Sequence, residues 1–163
     1  MTTDGSDGLE ASGETLAGLR RWCAEERWSA QWIDVGQDRI DAFAQATGDT
    51  NWIHTDPKRA LDETPFGGSI AHGFLLLSLT VGDDVTEITR LPGISQVLNY
   101  GLDKVRFLTP VRSGARVRVH SRVESLAEKQ PRRWLVRQMK TLHVEGQAGP
   151  AMVAEQLALL VLR

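Results

Sequence analysis

A carboxylate and an imidazole stand five residues apart in the middle of the chain, at Asp49 and His54. This spacing does not place two side chains on one face of a helix, so only a turn can bring them together. A carboxylate and an imidazole that converge on one water molecule can take a proton from it and return a proton elsewhere. Asn51 lies between them and could orient one of the two by hydrogen bonding.

The same residues also have a purely structural explanation. Asp is a common turn former after a helix, and His54 could simply brace the helix that Asp56 and Pro57 begin. The spacing alone leaves both explanations open. The sequence therefore predicts a loop with a candidate acid/base pair, Asp49 and His54.

A second candidate feature is His72-Gly73, which precedes a strongly apolar segment. The first amides of a helix have no partner within it and lie at the positive end of its dipole. A glycine there admits a ligand oxygen closely, so Gly73 is a candidate oxyanion site through its backbone N–H. The alternative is that Gly73 only lets the helix pack against a strand, and His72 is expected to fix the loop.

The first half of the chain is predicted to be mainly helical. Apolar spacing favours a helix over Glu14–Glu26 and another over Gln37–Thr47, with Gly48 as its C-terminal cap. Pro57 suits the first position of a helix that ends near Asp62. The segment from Ile70 to about Val85 predicts a helix that is apolar nearly all round and must be enclosed by protein.

The second half has strand periodicity. A short strand is predicted at Trp32–Val35, and longer ones follow, around Val105–Phe107 and over Ala115–Val123, Trp134–Val144 and Met152–Leu162. The connectors Thr109–Gly114, Leu126–Arg132 and Glu145–Pro150 are short, which favours antiparallel neighbours. Helices followed by an antiparallel meander predict an α+β fold with the sheet curled around the apolar helix.

The composition sets broad limits. The 163 residues suit one domain, and a net charge of −2 argues against non-specific nucleic-acid binding. The lone Cys23 and the lack of a signal-like or membrane-length apolar segment predict a cytoplasmic protein that does not insert into a membrane. No cluster of metal ligands or phosphate loop is recognised, so neither a metal nor a cofactor is expected. We divide the chain into a tail (1–13), an N-terminal helical extension (14–30) and one domain (31–163).

Three blocks of sequence resemble the MaoC-like dehydratases. They are Phe43–His54, Ile70–Phe74 and Asn99–Phe107, in the order that the family has them. The similarity runs from about Trp32 to the C-terminus. The nearest likeness is to the single-domain R-specific enoyl-CoA hydratases and the nodulation-protein-N-like branch.

The resemblance implies a hot-dog fold, in which an antiparallel sheet wraps a central helix, and a homodimer. It implies that Asp49 and His54 are the catalytic pair and that the Gly73 amide binds the thioester oxygen. The reaction would be hydration of a trans-2-enoyl-CoA to the (R)-3-hydroxyacyl-CoA, with CoA as part of the substrate. The residues expected to line the substrate pocket are Trp52, Phe66, Ile70 and Tyr100.

Three alternatives to this reaction remain open at the level of sequence. A hot-dog thioesterase would use a carboxylate to direct water at the thioester carbon. A non-catalytic protein could bind acyl thioesters without turnover. A dehydratase could act on a carrier-protein thioester, since CoA and carrier proteins share the phosphopantetheine arm.

Overall fold

The computed structural model describes residues 13–163, so all of the tail predicted for 1–13 except Gly13 lies outside the described residues. Within the described residues, twelve elements follow one another: α1 Gly13–Cys23, β1 Arg27–Trp28, β2 Ile33–Val35, α2 Gln37–Thr47, α3 Trp52–Thr55, α4 Pro57–Glu63, α5 Gly73–Ser78, α6 Gly82–Ile88, β3 Ile94–Phe107, β4 Ala115–Gln130, β5 Arg133–Val144 and β6 Pro150–Leu162.

The helices with clear end signals begin and end close to the predicted positions. Helix α2 spans the predicted Gln37–Thr47, and Gly48 caps it with a φ of 79°, a conformation that glycine adopts at little cost. Helix α4 has Pro57 in its first turn, and the Asp56 carboxylate accepts a hydrogen bond from the Arg59 N–H. These signals act within a few residues, so the sequence is sufficient to place them.

The six strands form one antiparallel sheet in the order β1-β4-β5-β6-β3, with β2 also paired to β4. The α+β class and the hairpins β4–β5 and β5–β6 agree with the prediction. The strand predicted around Val105–Phe107 is the end of β3, which begins at Ile94. Its expected pairing with the next strand was wrong, because β3 pairs with β6 at the far edge and not with β4. Connector length does not distinguish a hairpin from a crossing to the other edge of a sheet.

Residues 108–114 make that crossing and are held by backbone hydrogen bonds along the way. The Leu108 N–H donates to Ala151, the Ala71 N–H to Val111, and the Ser113 N–H to Ser69. The crossing therefore bonds directly to the loop that precedes α5.

The predicted connector Leu126–Arg132 is too long, since β4 continues to Gln130 and only two residues turn the chain.

The prediction of one enclosed helix from Ile70 to Val85 was wrong in two respects. Helix α5 covers only Gly73–Ser78, and a separate helix α6 begins at Gly82. The hydroxyls of Ser78 and Thr80 donate to the carbonyls of Leu75 and Leu77, which favours a turn in place of a continuing helix. Leu75, Leu76 and Leu77 are buried, whereas Phe74 is 70% exposed.

The inner face of the sheet carries two apolar clusters. One packs on α5 and α2, and includes Val117, Leu142 and Met152. The other packs on α1 through Leu19 and Trp22. Between the two lies a row of buried polar side chains from three neighbouring strands, which we call the polar band: Ser121, Gln138, Lys140 and Gln156.

The segment assigned to the N-terminal extension is part of this architecture. Helix α1 fills the second cluster, and β1 adds a short strand to β4 through Arg27 and Trp28. The Trp28 ring packs on His120, with 4.9 Å between ring centroids. Among residues 13–163, no helix has the length and apolarity needed to cross a membrane.

Candidate active site

His54 lies on the short helix α3, which Asn51 begins. The Asn51 side-chain oxygen accepts a hydrogen bond from the Ile53 N–H at 3.3 Å. Nδ1 of His54 lies 2.7 Å from the Ile70 carbonyl oxygen. A carbonyl only accepts, so Nδ1 carries the proton and Nε2 of the neutral ring is left as a base.

Asp49 follows the Gly48 cap and has an exposed side chain. Its carboxylate accepts the Asn51 N–H at 3.4 Å, and its backbone carbonyl accepts from Nε2 of His72 at 2.9 Å. Asn51 thus contacts Asp49 through its main chain and shapes the His54 helix through its side chain. Asn51 was expected to support the pair, and in the structure it contacts both Asp49 and the first turn of the His54 helix.

His72 joins the two candidate residues. Its ring stacks on His54, with 3.8 Å between centroids and 28° between planes, and Phe43 packs near it at 5.1 Å. Because Nε2 donates to Asp49, the buried Nδ1 is the unprotonated nitrogen of the neutral ring, and it has no hydrogen-bond partner among the described residues. His72 holds the loop of Asp49 against the helix of His54.

A carboxylate oxygen of Asp49 and one ring nitrogen each of His54 and His72 lie within 4.8 Å of one another. The two side chains predicted to converge therefore do so, although their catalytic role stays a prediction. One carboxylate and two imidazoles are also ligands that zinc accepts, so these three residues are the ones that could hold a metal ion. The expectation of a metal-free site is likewise a prediction.

Burial lowers the pKa of His54 below the ordinary imidazole value of 6.5. The nearby His72 lowers the pKa further, whereas the hydrogen bond to Ile70 and the charge of Asp49 raise it. The net direction is downward because a charged imidazole loses its hydration in this buried position. At neutral pH, His54 is therefore the uncharged form that a general base requires.

Gly73 follows His72 directly and is the first residue of α5. Its N–H has no acceptor within the helix, as expected at this position. A side chain here would put its Cβ 3.0 Å from three ring atoms of Phe107 on β3. Close packing of the helix on a strand thus explains why a glycine is needed, and the oxyanion role remains a prediction.

Two residues that the sequence analysis did not select hold this corner together. Nε2 of Gln37 donates to the His54 carbonyl at 2.7 Å, and Oε1 of Gln37 accepts from the Ser69 hydroxyl at 2.5 Å. These bonds link the start of α2, the His54 helix and the loop before α5. They join residues up to 32 positions apart, so no local signal could have revealed them.

The four predicted pocket residues lie in different surroundings. Tyr100 lines a cavity of about 400 Å³ beside α5, whereas Phe66 lines another of about 410 Å³ together with Arg112. The guanidinium of Arg59 lies over Trp52, 4.1 Å from the centroid of the indole ring. Ile70 is buried, and its carbonyl oxygen contacts His54. A shared role of these four residues in substrate binding stays a prediction.

The cavity beside α5, which we call the α5–β3 cavity, opens one residue beyond Gly73 at Phe74. Its remaining lining comes from the end of α5 and from β3 and β6: Leu77, Ser78, Thr80, Val81, Asn99, Tyr100, Gly101, Leu102 and Gln156. Phe74 also contacts Phe107, with 6.0 Å between centroids. The cavity and the candidate catalytic residues are thus linked along the chain, since His72 precedes Gly73 and Phe74 follows it.

Comparison with known proteins gives a consistent result. Residues 23–145 match the family model described as the MaoC like domain. The chain is 36% identical over 146 residues to nodulation protein N of Rhizobium leguminosarum bv. viciae, covering 90% of this chain and 91% of that protein. It is 39% identical over 144 residues to 3-hydroxyacyl-thioester dehydratase Z of Mycobacterium tuberculosis, covering 88% and 94%.

Solved structures agree with the sequence relatives. The monoamine oxidase regulatory protein from Archaeoglobus fulgius superposes with a TM-score of 0.72 at 25% identity, over 85% of this chain and 90% of that one. The (R)-hydratase from A. caviae involved in PHA biosynthesis gives a TM-score of 0.66 at 27% identity, over 82% and 92%. The hot-dog fold expected from the resemblance is confirmed.

Proposed function

Because the chain belongs to the MaoC-like dehydratase family and is a lyase of that type, we propose that it adds water reversibly to a trans-2-enoyl thioester, giving the (R)-3-hydroxyacyl thioester. The observation that carries the proposal is the meeting of Asp49 and His54 within 4.8 Å, next to the first amide of α5. CoA, or the same arm on a carrier protein, is part of the substrate.

The hydrogen bonds assign a part to each residue. Nε2 of His54 is unprotonated because Nδ1 donates to Ile70, so Nε2 takes one proton from the water. The Asp49 carboxylate accepts the other hydrogen of that water and balances the charge that appears on the imidazole. The water oxygen bonds to C3 of the enoyl group, and the proton held by His54 passes to C2, which restores the neutral ring.

Charge that develops on the thioester oxygen during this addition needs a donor. We assign that part to the backbone N–H of Gly73, which has no acceptor within α5. His72 holds both sides of the site, since it stacks on His54, donates to the Asp49 carbonyl and precedes Gly73.

The acyl chain then extends into the α5–β3 cavity. The cavity begins at Phe74, directly after the proposed oxyanion donor, and its volume of about 400 Å³ is within the range of small-ligand pockets. Leu77, Val81 and Leu102 provide apolar walls for methylene groups. An acyl chain lying there would bring its C2–C3 bond toward Asp49 and His54.

We also propose that the working form is a homodimer joined through β3. This strand of 14 residues is the last of the sheet, and its outward edge has no partner strand among residues 13–163. Exposed apolar side chains cluster on and beside it: Phe74, Leu98, Tyr100, Leu102, Phe107 and Leu108. A long apolar edge strand is a ready template for a second copy. Sedimentation equilibrium should give a mass near twice 18.0 kDa, and a monomer at assay concentration would contradict the proposal.

The test of the chemistry is hydration of crotonyl-CoA, followed by the loss of its conjugated thioester absorbance. Asp49→Asn and His54→Gln should each lower kcat/KM by about 10²-fold or more, the usual contribution of a general acid or base. Asp62→Asn and His120→Gln are matched controls on residues outside the site, and both should keep the wild-type rate. Wild-type rates in both site variants would end the assignment.

The same assay separates the alternative reactions. A thiol reagent added to the mixture reports free CoA, which a thioesterase releases and a hydratase does not. A crotonyl-carrier-protein substrate run beside crotonyl-CoA identifies the preferred form of the phosphopantetheine arm. Release of thiol without loss of the double bond would replace the hydratase proposal with a thioesterase.

A further inference from the structure

The lining of the α5–β3 cavity is partly polar. Besides its apolar side chains, Asn99, Gln156, Ser78 and Thr80 line it. Gln156 belongs to the polar band on the inner face of the sheet, where it lies opposite Gln138 on β5 and Leu102 on β3. An acyl chain that fills the cavity therefore meets hydrogen-bonding groups.

The Gln156 amide is available to a ligand. The residue is only 7% exposed, it lines the cavity, and its side chain makes no hydrogen bond to any described residue. The hydroxyls of Ser78 and Thr80 differ, because each donates to a helix carbonyl. If a ligand covers this amide without bonding to it, the lost hydration costs about 1–3 kcal/mol, so a group that bonds to Gln156 is favoured over one that cannot.

A smaller space of about 10 Å³ adjoins the cavity, and Trp22 is among the residues that line it. The two spaces share Val81, Asn99 and Gln156. The Trp22 indole N–H is buried and has no acceptor among the described residues. An indole N–H only donates and a glutamine amide can donate or accept, so an oxygen atom is the ligand group that suits both.

No charged side chain lines the α5–β3 cavity among the described residues. A carboxylate or phosphate at the end of the acyl chain would therefore be desolvated there without a counter-charge, which is costly. A ketone or a hydroxyl has the hydrogen-bonding capacity without the charge. The lining thus favours an uncharged oxygen over both an ion and a plain methyl end.

We propose that the preferred substrate is an enoyl thioester whose acyl chain carries an uncharged oxygen, a ketone or hydroxyl, at its distal end, where it bonds to Gln156. This inference rests on the proposed function and names the substrate class of the same site. Its competitor is a cavity in which water fills the polar end, since a water molecule can satisfy an amide at little cost. A water-filled end would give no preference for the oxygenated chain.

The test compares matched pairs of trans-2-enoyl-CoA esters of six to twelve carbons. Each pair has one plain chain and one chain of the same length with a ketone at the last carbon but one. At the length that reaches Gln156, the wild-type protein should prefer the ketone by about tenfold in kcat/KM, the effect of one hydrogen bond to an otherwise unpaired group. Equal values at every length would overturn the inference.

The Gln156→Met variant identifies the residue responsible. Methionine keeps the length of the side chain but loses the hydrogen bonds, so the preference should fall to about one while the plain chain is still hydrated. Gln96→Met, on an exposed position of β3, is the matched control and should keep the preference. If the Gln156→Met variant keeps the preference for the ketone, another residue causes that preference and the proposal is contradicted.

The design separates the two levels of proposal. If the plain chains are hydrated and the ketone chains are not preferred, the distal-oxygen inference is wrong and the hydratase assignment is unaffected. Failure to hydrate either member of every pair removes the hydratase assignment, and the inference that rests on it falls too.

Discussion

The candidate catalytic corner, formed by Asp49, His54 and His72, and the α5–β3 cavity differ in how their polar groups are bonded. In the corner, His54, His72 and Gln37 each bond to a backbone carbonyl. Gln156 lines the cavity, the Trp22 indole N–H in the smaller space beside it is buried without an acceptor among the described residues, and Phe74 is 70% exposed. The corner is thus bonded within the chain, whereas the cavity region has bonding capacity left for a ligand or a second copy.

This difference fits what the proposed function asks of each half. Proton transfer requires side chains held in fixed geometry, because a small misplacement costs a large factor in rate. Recognition of a substrate requires groups that gain their partners only on binding. On this proposal, the polar atoms of the corner make internal bonds that hold it rigid, and those of the cavity bond to the acyl chain.

A large effect is expected from Gly73→Ala, at the residue between His72 and Phe74. The new methyl group would lie 3.0 Å from the Phe107 ring, and that ring is 45% exposed and can turn away. We expect the free energy of unfolding to fall by no more than about 1 kcal/mol, below the usual 1–3 kcal/mol of overpacking. The rate should fall by about 10²-fold, because the methyl displaces the thioester oxygen from the amide.

The double variant Gly73→Ala/Phe107→Leu sharpens the comparison between the two halves. It relieves the contact with the ring but leaves the methyl beside the amide, so stability should return and activity should not. Thermal unfolding and crotonyl-CoA hydration measure the two separately. Recovery of both together would mean that Gly73 serves packing alone and has no part in oxyanion binding.

A smaller effect is expected from pH, and it tests the catalytic corner. The pKa of His54 is lower in the folded protein than the ordinary 6.5, mainly through burial. The unfolded chain therefore binds a proton first as the pH falls. The contribution to stability is complete above pH 6.5 and is lost as the pH falls from there through the folded pKa, by about 1.4 kcal/mol per unit of difference.

Urea unfolding between pH 8 and pH 5 measures this loss. The free energy of unfolding should fall less over this range in the His54→Gln variant, because the variant has no imidazole at this position. The acid limb of kcat/KM should likewise fall below pH 6.5 in the wild-type protein, since His54 must be neutral to accept a proton. If the acid limb of kcat/KM has a pKa above 6.5, His54 is not the base. A urea profile unchanged in His54→Gln would show that His54 is not the buried group that loses its proton.

Signals confined to a few neighbouring residues were sufficient for much of the molecule. Gly48 fixed the end of α2, Pro57 the start of α4, and the spacing of Asp49 and His54 required a turn that the structure contains. The alternation in β4 and β5 gave the hairpin between them. Each of these depends on backbone preference or periodicity, which act over short distances.

Other features depend on atoms far apart in sequence. The break after Ser78, the pairing of β3 with β6, and the bond from Gln37 to His54 could not be predicted from local patterns. The same applies to the cavity, which combines α5 with β3 and β6. Strand order and cavity walls are decided by which surfaces pack, and a run of Leu residues fits several packings equally well.

The sequence by itself determined the loop of Asp49 and His54, the family and the α+β class, because its capping residues, spacing and motif blocks are local and specific. Only the tertiary structure decided that His72 would join Asp49 to His54, that Gln156 would line the cavity, and that the Trp22 indole N–H would be buried without an acceptor among the described residues. The physical reason is that hydrogen-bond satisfaction belongs to the whole packed molecule, since a polar side chain finds or lacks its partner only when distant strands and helices meet.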